Sequence, residues 1–104
     1  MERIHWSLTS QADLEAIGDF IAKDSPFYAV DFVERIIQSV DQILEFPESG
    51  RVVPEFDNPN IRELIFHGYR IVYKIMSDMI YIVSICHSSQ NIYKKSKREF
   101  WDIS

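Results

Sequence analysis

The sequence predicts an α+β fold from three observations. These are a short apolar segment at the N-terminus, two amphipathic stretches with helical spacing, and three runs rich in Ile, Val, Tyr and Phe separated by two-residue turns. Their order implies an N-terminal β-strand, an αα-hairpin and an antiparallel β-meander, with the helices packed on one sheet face.

Ile4-His5-Trp6 is the short strand. In SLTSQADLEAIGDFIAKD, Leu14, Ile17 and Ile21 recur at helical spacing. Ser10 with Asp13 three residues on has capping-box character, and Asp13 and Glu15 sit where a helix dipole favours acids. Asp24-Ser25-Pro26 stops one helix and starts the next, with Pro26 suited to the first helical position. The second helix carries a stripe of Ala29, Val33, Ile36, Ile37, Val40, Ile43 and Leu44, and it ends before Pro47-Glu48-Ser49-Gly50. Arg51 to Asn60 contains Pro54 and Pro59 and reads as an extended linker, with a short edge strand at Arg51-Val52-Val53.

The meander is then Ile61 to Phe66, Tyr69 to Met76 and Met79 to His87, turning at His67-Gly68 and Ser77-Asp78. With two residues in each turn, Glu63 lies opposite Val72, Ile65 opposite Arg70, and Arg70 opposite Ile85. Alternation then places Glu63, Arg70, Lys74 and His87 on one face. Arg62, Leu64, Phe66, Tyr69, Ile71, Tyr73 and Ile75 fall on the other, which is expected to be the core. Ile65, Val72, Val83 and Ile85 are left beside the charged residues as an open apolar patch of the kind that marks a binding surface. A slip of one residue in either hairpin would move a whole strand's side chains to the opposite side.

A chain of 104 residues fits a single domain over 1–104, in which 88–104 form a basic C-terminal tail or a short helix. No apolar run reaches transmembrane length and the N-terminus lacks a signal-peptide pattern, so the expected address is the cytoplasm and no membrane partner is expected. The single cysteine, Cys86, cannot form an intramolecular disulfide and reads as a buried thiol. His5 and His67 have no partners at metal spacing, and neither a metal, a cofactor nor a small-molecule ligand is expected. The net charge of −5 is unevenly placed: residues 1–49 carry three basic and ten acidic side chains, residues 50–104 eight basic and six acidic. That balance argues against a general nucleic-acid binder and leaves room for a local basic site on the sheet half.

Several features together resemble the RelE/ParE family of bacterial toxins. They are Trp6 ahead of a helix containing Ala12-Asp13-Leu14, Phe46-Pro47 with Gly50-Arg51, Ile61-Arg62-Glu63-Leu64, Tyr69-Arg70-Ile71-Val72-Tyr73, and His87 closing the last strand. The resemblance covers nearly the whole chain. It implies a toxin of a type II toxin–antitoxin module, neutralised by a small cognate antitoxin, with one of two targets. ParE-like members poison DNA gyrase, whereas RelE-like members cut messenger RNA in the ribosome.

RNA cleavage through the 2′-hydroxyl needs a base, an acid and a cation at the phosphate. Glu63, His87 and Arg70 suit those roles in that order, and Tyr93 could stack on a base or supply a proton. The plainer alternative makes Glu63 and Arg70 a cross-strand ion pair and His87 a strand-end residue. The family's ribosome-dependent nucleases resemble one another in a strongly basic surface. This chain is acidic, and Ser88-Ser89-Gln90-Asn91 follow His87. The expectation therefore leans to a ParE-like, non-catalytic toxin, with Arg62, Arg70, His87, Tyr93, Lys94, Lys95, Lys97 and Arg98 as candidate target contacts.

Overall fold

The computed structural model describes residues 3–88. The expected tail or helix over 88–104, and with it Tyr93, Lys94, Lys95, Lys97 and Arg98, lies outside the described residues apart from Ser88.

The elements run β1 (Ile4–Trp6), α1 (Leu8–Ala22), α2 (Pro26–Glu45), a 3-10 turn (Pro47–Ser49), β2 (Arg51–Val52), β3 (Ile61–Phe66), β4 (Tyr69–Ile75) and β5 (Ile80–His87). They form one mixed five-stranded sheet of order β1-β5-β4-β3-β2. β1 joins β5 in parallel and the remaining pairs are antiparallel.

Ser7, rather than Ser10, caps α1. Its hydroxyl accepts from the Ser10 N–H at 2.9 Å and donates to the Val83 carbonyl at 2.7 Å, while its own N–H donates to the Ile82 carbonyl. Because β1 ends at Trp6, the edge of β5 beyond it needs other partners. Ser7 supplies one, and Asp13 supplies another by accepting from the Ile85 N–H at 2.9 Å. Asp13 thus ties α1 to the sheet instead of completing a capping box. Ser25 caps α2, and Pro26 takes the first turn as expected.

The helix hairpin buries Ile17, Phe32, Ile36, Val40 and Ile43 against Ile71, Tyr73, Ile80, Ile82 and Ile85. Phe32 was absent from the expected stripe, and Ile37, which was in it, is 39% exposed. Phe32 turns inward because it meets the rings of Phe66 and Tyr69 at the β3–β4 end, at centroid distances of 5.4 and 5.9 Å.

The first hairpin has the expected register. Phe66 pairs with Tyr69 and Glu63 with Val72, and His67 and Gly68 hold positive φ values of 45° and 86°, the pattern of a type I′ turn. The second hairpin starts as expected, with Ile75 opposite Ile80 and Tyr73 opposite Ile82, but Val72 pairs with Ser84. A β-bulge at Val83 inserts one residue and reverses the faces of the remainder of β5. Arg70 therefore lies opposite Cys86, not Ile85, and His87 lies opposite Tyr69.

Candidate functional site

The bulge separates the residues that the even register had joined. His87 shares the helix-side face with Tyr69, whose ring it meets edge-on at 5.6 Å, whereas Glu63 and Arg70 occupy the outer face. Ile85 also moves to the helix-side core.

The outer face is covered rather than open. Residues 53–60 fold back across it, with Val53 buried and Phe56 packed beside Ile61, Val72, Val83 and Cys86. Val53 donates to the Ile61 carbonyl, Phe56 donates to the Val53 carbonyl, and Ile61 donates to the Asn58 carbonyl. Of the expected apolar patch only Ile65 remains well exposed. Cys86 is buried and forms no disulfide.

Beneath this loop lies a four-residue ion network. Glu63, 1% exposed, accepts from Arg51 Nε on one carboxylate oxygen and from Arg70 Nε on the other. Arg70 turns its remaining fork to Glu55, with Nη1 and Nη2 each 2.9 Å from a different oxygen. This bidentate geometry is the strongest form of the guanidinium–carboxylate contact. The Arg70 hydrogen bonds hold the Glu55 carboxyl below its ordinary pKa despite partial burial. Those from Glu55 and then Glu63 keep the Arg70 guanidinium more firmly protonated than usual. Two guanidiniums and two carboxylates leave the network neutral, which is the condition for burying charge at tolerable cost.

Arg62 is also held within the fold. Its Nε donates to the Pro59 carbonyl and its Nη1 to the Gly50 carbonyl, each at 2.9 Å. The same turn is locked by Tyr73, whose hydroxyl donates to the Pro47 carbonyl at 2.7 Å and accepts from the Gly50 N–H at 3.0 Å. Burial raises the pKa of that hydroxyl, chiefly by disfavouring the phenolate. A Cβ at position 50 would stand 2.5 Å from the Tyr73 oxygen and 2.6 Å from the Glu63 carbonyl, so the close approach requires glycine.

Sequence reasoning brought Glu63 and Arg70 together correctly and missed Glu55 and Arg51. Arg51 stands in the expected short edge strand, directly opposite Glu63, but nothing in the sequence set that strand's register; Glu55 follows Pro54 in a loop without periodicity. Among the described residues no cluster of His, Cys, Asp and Glu could hold a metal, and no helix is long and apolar enough to cross a membrane.

The combination of an N-terminal strand, a helix hairpin and an antiparallel meander is found in solved toxin structures. A chain of the chromosomal ParDE system of P. aeruginosa superposes with a TM-score of 0.70 at 23% identity, covering 84% of this chain and 96% of that one. A mutant of the E. coli toxin RelE in its free state gives 0.65 at 11% identity, covering 98% and 97%. At these identities the likeness concerns the fold alone, the architecture of ParE and RelE toxins.

The sequence comparisons go further. The family described as the ParE toxin of the type II toxin–antitoxin system, parDE, matches residues 4–92. Toxin RelE2 of Caulobacter vibrioides is 32% identical over 91 residues, covering 86% of this chain and 99% of that protein. The putative toxin Y4kP of Sinorhizobium fredii is 36% identical over 91 residues, covering 86% and 91%. The chain belongs to the ParE toxin family of type II toxin–antitoxin systems. Its partner by family membership is a cognate antitoxin.

Proposed function

We propose that the chain, once released from its antitoxin, acts in the cytoplasm as a ParE-like toxin that inhibits DNA gyrase through protein contacts and without catalysis of its own. The observation that carries this reading is the separation of the candidate catalytic groups. Glu63 lies buried beneath a loop with a guanidinium on each carboxylate oxygen, and His87 lies on the opposite face of the sheet. A general base must reach the proton it removes, and an acid must share its site. Neither condition is met by this pair.

The charge balance supports the same reading, because ribosomal RNA attracts basic proteins and this chain carries −5. Target contact then falls to groups outside the buried network, among them the basic run Lys94, Lys95, Lys97 and Arg98 with Tyr93. The RelE-like alternative, a ribosome-dependent endoribonuclease using Glu63, Arg70 and His87, needs the loop over 53–60 to open and His87 to change faces.

Purified toxin, incubated with gyrase and relaxed plasmid, separates the two. The proposal expects loss of supercoiling and accumulation of cleaved DNA, both reversed by antitoxin. Unimpaired gyrase together with cut messages on programmed ribosomes would overturn it.

A further inference from the structure

We propose that the exposed rings of Tyr28 and His67, at the end of the molecule where α2 meets the β3–β4 turn, form a surface that grips gyrase by an apolar side chain on one of its acidic segments. The inference rests on the gyrase reading and adds to it a place on the folded domain.

The patch is built outward from a buried ring. Phe32 is enclosed, and Tyr28 and His67 approach it from α2 and from the turn, at centroid distances of 5.9 and 6.1 Å. His67 also meets the Phe66 ring edge-on at 4.5 Å. Both outer rings remain open to solvent. Tyr28 is 53% exposed, His67 is exposed, and Phe27, beside Tyr28 in the first turn of α2, is 92% exposed. One exposed hydrophobe is ordinary, whereas aromatic rings gathered at one end of a molecule have the composition of a binding hot spot.

The two rings are also ordered in advance. The Tyr28 N–H donates to the capping Ser25 Oγ at 3.2 Å, which fixes the first turn of α2. His67 is fixed by the type I′ turn, with φ at 45°. That position suits Asn or Gly better, so the backbone itself gives no reason for a histidine there. What histidine adds is a ring on the patch. Side chains already held in place lose little freedom when a partner docks.

The chemistry of the partner follows from the charges next to the rings. Ser88 donates its N–H to the Gly68 carbonyl at 2.7 Å, so the chain leaves β5 beside His67. Lys94, Lys95, Lys97 and Arg98 follow, and the six residues from Ser88 to Lys94 span at most roughly 22 Å. A partner seated on the rings is therefore within reach of these cations, which favours acids around its apolar anchor. The same cations carry target contact in the gyrase reading, and the rings extend that contact onto the domain.

Binding of the full chain to immobilised gyrase tests this, with His67→Asn, Tyr28→Ala and Phe46→Ser compared against the wild type and each Tm recorded. Asn suits the turn, so His67→Asn removes the ring and keeps the fold. Each ring variant should bind gyrase about ten-fold or more weakly. Phe46 is 62% exposed at the other end of α2, and Phe46→Ser should bind as the wild type does. Unchanged gyrase affinity in either ring variant, or an equal loss in Phe46→Ser, would overturn the proposal. So would a loss confined to antitoxin binding, which assigns the rings to the antitoxin. If Tyr28→Ala does not fold, His67→Asn alone decides. A wild type that does not bind gyrase overturns the gyrase reading and this inference with it, whereas ring variants that match a binding wild type overturn this inference alone.

Discussion

The two faces of this sheet are built on different physics. On the helix side, Ile71, Tyr73, Ile80, Ile82 and Ile85 meet Ile36, Val40 and Ile43 in an apolar layer that is almost wholly buried. On the outer side a smaller apolar cluster shares its space with Glu63 and Arg70, and one loop covers both. The first arrangement is non-directional and tolerates substitution of one hydrophobe for another. The second depends on each charge keeping its partner. Stability should therefore respond to volume on one face and to charge balance on the other.

The largest effect expected from this contrast comes from Glu63→Gln. It leaves Arg51 and Arg70 without their shared carboxylate and should cost about 3–5 kcal/mol in urea unfolding. A cost below about 1 kcal/mol, the level of an exposed pair, would show that the network carries no such weight. On the helix side, Ile36→Ala removes a fully enclosed side chain and should cost about 2–5 kcal/mol, with an unchanged dependence on urea if both faces unfold together.

Tyr73→Phe sharpens the comparison, because Tyr73 packs in the apolar layer while its hydroxyl locks the Pro47–Gly50 turn. The ring volume is kept and only two hydrogen bonds are lost, so the cost should be about 1–3 kcal/mol. Hydrogen exchange should show the loss as faster exchange at the Gly50 amide.

A smaller, pH-dependent effect belongs to the outer face. The Glu55 carboxyl sits below its ordinary value because Arg70 stabilises the charged form. Its contribution to stability is therefore complete above the ordinary carboxylate range and is lost as the pH falls through the lowered folded value. The Tm advantage of wild type over Glu55→Gln should shrink below about pH 4. An advantage that is constant across the acid range would contradict the pairing.

The same division explains what could be read from the sequence. The helix-side face was legible because period 3.6 in α2 and period 2 in β3 and β4 are enforced by burial. The first hairpin was legible because His67-Gly68 suits a turn with two positive φ values. The outer face was legible only where β3 and β4 place Glu63 beside Arg70. The bulge at Val83 leaves no compositional mark in a run of Ile, Val and Ser, yet it moved His87 away from Glu63 and Ile85 into the core. Phe32 lies at helical spacing between Ala29 and Ile36, so the periodicity carried it, and the expected stripe took the adjacent Val33 in its place. Glu55 reaches Arg70 from a loop whose path follows no repeat. The family resemblance survived these errors because it rests on elements and short segments rather than on the register of β5.

The central claim is that this toxin acts on gyrase and that its Glu63–Arg70 network is architecture. Its most direct test is pulse-labelling of DNA and protein synthesis in cells after induction of the chain without its antitoxin. The account predicts that DNA synthesis falls first, with DNA breaks, while translation continues. Protein synthesis that stops first, with cleaved messages and intact DNA replication, would contradict it and return Glu63, Arg70 and His87 to consideration as a nuclease site.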